Sequence, residues 1–168
     1  PKKTLSTSQN QHDLKGNKKH KKVTEWAAQL PRVIRLWLGK DRKFVIVGDV
    51  GFSCHKIAQA CVKAGGTLIS KLRLDARVFD FPSEKIFRKG RPRIVGKRLP
   101  LFSEILKDKN VTWEELEVDW YNNRKKRVLT LTGTALWYAY GLPPTTIRWV
   151  LIKDPENNFD PLVLFSTD

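Results

Sequence analysis

The chain of 168 residues contains no methionine and only two cysteines, Cys54 and Cys61. They fall on one segment of helical pattern, where a spacing of seven residues sets their Cα atoms about 10 Å apart, too far for a disulfide. Both are expected in the core. The three histidines, His12, His20 and His55, share no ligand spacing with one another or with the cysteines, which argues against a zinc site. His55 is expected on a helix surface. No apolar run approaches the length of a bilayer-spanning helix, and the lysine-rich start lacks the apolar core of a signal peptide. A cytoplasmic protein with no membrane partner is expected. A phosphate-cradling glycine motif is also missing, Ser53 has no histidine–acid partnership nearby, and Cys54 and His55, adjacent on a helix, point apart. Neither a nucleophile arrangement nor a small-molecule substrate is indicated.

Positive charge, by contrast, is plentiful. Lysine and arginine total 32 against 17 acidic residues, a formal net charge of +15 with a pI near 10.0. Such a balance implies a polyanionic partner, most simply nucleic acid. A hydrophobic content of 40% over this length supports one domain with a real core, or one core plus an insertion. Residues 1–22 form a polar, basic arm with neither strand alternation nor a helical stripe. The chain is expected to be an internal piece of a longer protein.

Hydrophobic spacing orders the remainder. In "TEWAAQLPRVIRLWLG", Trp26, Leu30, Val33 and Trp37 recur at helical intervals, with Thr24 as cap, Gly39 as stop and a bend at Pro31. "KFVIVG" is a continuously apolar strand of the kind found in parallel or central positions. A helix over about Ser53–Ala64 and the strand "TLISKLRL" complete a βαβ unit. From Phe81 to Pro100 the chain turns into a basic, Pro- and Gly-rich loop or arm, followed by a short helix in "LFSEILKD". The polar "YNNRKK" separates two strand-like runs and marks a hairpin, with Leu129 and Leu131 alternating against Thr130 and Thr132. "TTIRWVLIKDP" and "PLVLFSTD" add two strands. Core packing is the default for all six tryptophans.

Two groups of residues carry chemistry. Asp49, Asp75, Asp154 and Asp168 stand at strand ends, where α/β folds place ligands, although position alone favours Asp49 as a helix cap. The "KGRPR" stretch with Lys89, Arg91 and Arg93, extended by Lys97 and Arg98, suits contact with DNA phosphates; the run Arg124, Lys125, Lys126 and Arg127 is a second basic candidate or a solvated hairpin tip.

In order and spacing, "VIVGDVGF", "LISKLRLDARVFDFP", "KGRPRIVGKRLP", "GTALWYAYGLPPTTIRWVLIKDP" and "PLVLFSTD" resemble the central part of DDE-superfamily transposases of bacterial insertion sequences, over about Thr24 to Asp168. The resemblance implies a partial ribonuclease-H-like α/β core over 23–76 and a mostly antiparallel, basic β insertion over 77–168. It implies Asp49 as the second acid of a triad that holds magnesium, and so as a catalytic and metal-binding residue. The first acid would lie upstream; Asp13 lacks the strand that should precede it. The third, a glutamate, would lie downstream, and Asp168 is not assigned to it. The expected partners are DNA and, in the complete enzyme, a second copy, in a bacterial cytoplasm near the nucleoid. The chain alone is expected to be inactive. A non-catalytic basic DNA-binding protein is the alternative, and an RNA- or ribosome-associated one a third.

Overall fold

The computed structural model describes residues 21–83, 93–120 and 124–168. Alternation in "TLISKL", "TTIRWVLIK" and "LVLFS" decides the architecture, because successive side chains of a strand point to opposite faces. Leu68, Ser70 and Leu72 are buried while their neighbours are not; so are Thr145, Ile147, Trp149 and Leu151, and Val163 and Phe165. Strands with one buried face must pair side by side under a common cover.

They do so in one mixed sheet. In chain order the strands are β1 (Val45–Val47), β2 (Thr67–Leu72), β3 (Val78–Phe79), β4 (Glu114–Trp120), β5 (Arg124–Trp137), β6 (Thr145–Lys153) and β7 (Leu162–Ser166). Spatially they run β1-β2-β7-β6-β5-β3, with β4 on the same edge of β5 as β3 but nearer the hairpin. Among the described strands only the β1–β2 pair is parallel, with Val45 opposite Thr67; the other pairs are antiparallel. Strands from both sides of residue 77 therefore hydrogen-bond within one curled, mostly antiparallel sheet. The fold is mixed α/β.

Helices cover one face. α1 (Val23–Ala27) and α2 (Leu30–Leu38) precede β1, α3 (His55–Lys63) links β1 to β2, and α4 (Phe102–Ile105) follows β3. Ile57, Ala58 and Cys61 on one side of α3 pack with Leu68, Leu72, Ile147, Val163 and Phe165 in a single core. Phe102 of α4 meets Trp149 edge-on at 5.1 Å. Trp149 lies across β5 opposite Gly133, where a Cβ would come within 2.5 Å of its indole, so glycine is the residue that fits. Arg35 ties α2 to the end of α3 by donating to the carbonyls of Ala64 at 2.6 Å and Gly65 at 2.8 Å, a cation at a helix C-terminus. No described helix is long and apolar enough to cross a membrane.

Several sequence expectations need correction. The expected helix over residues 24–39 is two helices, broken between Ala27 and Leu30, with Pro31 in the first turn of α2, where its missing N–H costs nothing. Its apolar stripe is not core: Trp26 is 60% and Trp37 78% exposed. β1 is parallel but is an edge strand, and Val47 is 76% exposed. Cys54 is the extended residue that precedes α3 rather than part of it, while Cys61 is fully buried. His55 is half-buried, stacked on Trp137 at 3.8 Å. Thr130 is buried and its hydroxyl donates to the Glu114 carbonyl at 3.2 Å, so the Leu/Thr alternation of β5 does not sort inside from outside there. Near the hairpin, the β6–β7 loop covers the even-numbered face of β5, and Val128 and Thr130 are both enclosed.

Candidate functional site

Asp49 follows the last residues of β1. The Gly48 N–H extends the ladder by donating to the Ile69 carbonyl at 3.0 Å, and the Asp49 backbone is extended. Its carbonyl accepts from the buried Ser70 hydroxyl at 2.8 Å and from the Phe52 N–H at 3.1 Å. Two anchors thus fix the backbone, while the side chain is exposed. One carboxylate oxygen, Oδ1, accepts from the Gly51 N–H at 2.9 Å and caps the short 3-10 turn Val50–Phe52, as an aspartate does in an Asx turn. The cap expected at the start of α3 therefore sits one turn earlier. Beside Asp49 opens a largely apolar groove of about 360 Å³, lined by Ala27, Leu30, Ile46, Phe52 and Leu68 among others.

The other strand-end acids do not join it. Asp75 is engaged by Arg73 through two hydrogen bonds of 2.8 Å, which holds its carboxyl below the usual range. Asp154 lies buried just past the end of β6, three strands across the sheet from β1. Asp168 follows Thr167, whose N–H donates to the Leu68 carbonyl, whereas Asp49 sits beside Ser70. Among the described residues no group of three or more His, Cys, Asp or Glu could hold a metal ion. Magnesium demands near-octahedral oxygen coordination, with one or two carboxylates supplemented by phosphates and water. One exposed carboxylate, already bonded to Gly51, does not by itself fit that ion.

Of the basic candidates, Lys89 and Arg91 lie outside the described residues. Arg93, Lys97 and Arg98 are exposed. Their segment is pinned to β3: the Asp80 N–H donates to the Lys97 carbonyl at 2.8 Å, the Leu99 N–H to Val78 at 3.0 Å, and Arg98 bridges Phe79. None of the three forms an ion pair with a described residue.

The run Arg124–Arg127 is a strand, not a hairpin tip, and its residues alternate in fate. Lys125 pairs with Asp119 at 2.6 Å and Arg127 with Glu115 at 3.5 Å, both at the surface. Lys126 turns inward, 20% exposed, and meets the 1%-exposed Asp154 carboxylate at 2.8 Å. It also lies over the rings of Phe159 and Trp120, at 4.7 and 5.4 Å. Asp154 further accepts from the N–H groups of Glu156 and Asn158, at 3.0 and 2.9 Å. Lys126 and these N–H groups hold the Asp154 carboxyl below its usual range, against the opposing effect of burial. Three of the four expected DNA-binding cations of the hairpin are thus matched by acids.

Two further groups are inert. Burial pushes the Cys61 thiol up to about 11, so it carries no thiolate at neutral pH. Burial lowers the His55 pKa, and its Nε2 has no hydrogen-bond partner among the described residues. Sequence reasoning missed Lys71 and Arg148, exposed cations at alternating positions of β2 and β6; the signal was a cation at an outward position of an otherwise apolar strand. No protein-family model matches the chain, and a search of curated proteins finds no match.

Proposed function

We propose that this chain is the central part of a DDE-superfamily transposase, acting on DNA in a metal-dependent phosphodiester cleavage and strand transfer, with Asp49 as one of the metal-holding acids. The observation that carries this reading is the position of Asp49. A carboxylate exposed at the C-terminal end of a parallel strand, with its backbone anchored from two sides, is suited to meet ligands brought from other elements. The net charge of +15 favours a polyanionic substrate, and the ordered motifs from "VIVGDVGF" to "PLVLFSTD" agree in direction. Because the described residues do not complete a magnesium site, no reaction step is assigned to them.

The test is Asp49→Asn in the complete transposase. Asparagine keeps the size of the side chain and its acceptor for the Gly51 N–H, so the fold is expected to persist while transposition is abolished. Near-normal transposition by a stably folded variant overturns the assignment.

A second reading, a DNA-binding protein without catalysis, is favoured by one observation: Asp49 does cap the turn Val50–Phe52. On that reading Asp49→Ala costs about 1 kcal/mol of stability, the ordinary price of a lost cap, and DNA binding is unchanged.

A further inference from the structure

We propose that duplex DNA is taken by the helix-free face of the sheet, along a diagonal of exposed cations formed by Arg98, Arg148 and Lys71. This rests on the DNA-acting reading above and assigns the surface that reading leaves open.

Strand register places the three residues on one face. Arg98 bridges Phe79, which pairs with Leu136, which pairs with Thr146. Arg148 is one same-face step further along β6 and continues through Ser166 to Ile69. Lys71 is one same-face step beyond Ile69, in the row of Leu164 and Val150. At about 4.8 Å between strands and about 7 Å between same-face residues, Arg98 to Arg148 spans about 16 Å and Arg148 to Lys71 about 12 Å. The cations advance one row at a time in a single direction across the sheet.

The surroundings favour a polyanion. Beside these cations the face presents the exposed Thr132, Thr134 and Thr146, whose hydroxyls can donate to phosphate oxygens. No acidic residue occupies this face within β2, β7 or β6, or on β5 between Thr130 and Leu136; the exposed Asp168 follows two residues past Ser166, at the end of β7. The nearest acid along β2, Asp75, is taken up by Arg73. Arg98, Arg148 and Lys71 form no ion pair with a described residue, unlike Lys125, Lys126 and Arg127. Carrying the β1–β2 register past Val47 and Ile69 sets Asp49 level with Lys71 on the neighbouring strand. The track thus ends one strand from the candidate acid.

Duplex binding by the full chain is measured across a salt series, for the native sequence, for Lys71→Ala with Arg148→Ala, and for Lys125→Ala with Arg127→Ala. All four positions are exposed, and a thermal melt of each variant checks its fold. Each lost phosphate contact flattens the plot of log affinity against log salt by about 0.9. The sheet-face pair is expected to flatten it by about 1.8 and the hairpin pair to leave it unchanged. Flattening by the hairpin pair alone, by both pairs equally, or by neither overturns the assignment of the face while the DNA-acting reading stands. If the native chain shows no duplex binding even at low salt, that reading fails and this one with it.

Discussion

The two faces of the central sheet are built from alternate residues of the same strands, yet they differ in almost every property. On one, Phe165, Trp149 and Leu151 are enclosed beneath α3 and α4; on the other, Leu164 and Arg148 remain open to solvent. At the hairpin end of β5 the relation reverses, because the β6–β7 loop with Asp154 and Phe159 rises over the even-numbered side. Residue type alone does not set the fate of a position. What covers it does.

The largest effect that can break this comparison comes from two neighbours on β7. Phe165→Ala is expected to cost about 3–5 kcal/mol, by lost burial and the cavity left against Trp137. Leu164→Ala, one residue away, is expected to change stability by about 0.5 kcal/mol. Comparable losses in urea melts would show that the helix-free face is covered in solution.

A smaller contrast lies in the hairpin. Lys126→Ala strands a buried carboxylate without its cation and lowers the melting temperature well beyond Lys125→Ala, whose partner is a solvated Asp119. The pair also predicts an acid limb. Since the folded Asp154 pKa is below its ordinary value of 3.8, its contribution is complete above that value and is lost as pH falls through the folded one. Equal melting temperatures for the two lysine variants would mean that Lys126 is solvated.

The smallest expected effect belongs to His55. Its folded pKa lies below 6.5, so the unfolded chain binds the proton first and stability declines as pH drops from 6.5 toward the folded value. Above 6.5 this contribution is constant. His55→Phe keeps a ring against Trp137 and is expected to remove this slope; a slope that survives assigns it to another group.

Much of the fold was legible in the sequence. The βαβ unit, the β4–β5 hairpin, β6, β7 and α4 all follow from periodicity and turn residues, since each is local. What was illegible depends on partners distant along the chain. Lys126 reads like Lys125 until Asp154 and Phe159 are brought over it. Trp26 and Trp37 have the spacing of a core stripe, but spacing cannot say whether a facing surface exists. Arg98, Arg148 and Lys71 become neighbours only through strand order, in which β7 returns between β2 and β6. Asp49 was legible as a strand-end acid; the Ser70 hydroxyl that steadies it was not, because a buried serine looks like any other outward or inward polar residue in a strand.

The exposed edge of β1 has a colloidal consequence. Val45 and Val47 present an unpaired row of peptide groups, with Leu36 and Trp37 among the exposed apolar residues of the preceding helix. Such an edge attracts like edges. A net charge of +15 holds molecules apart only as far as the Debye length allows, about 30 Å at 0.01 M salt but about 8 Å at 0.15 M. Added salt therefore removes the chain's protection against itself, so light scattering from the pure protein should grow with ionic strength.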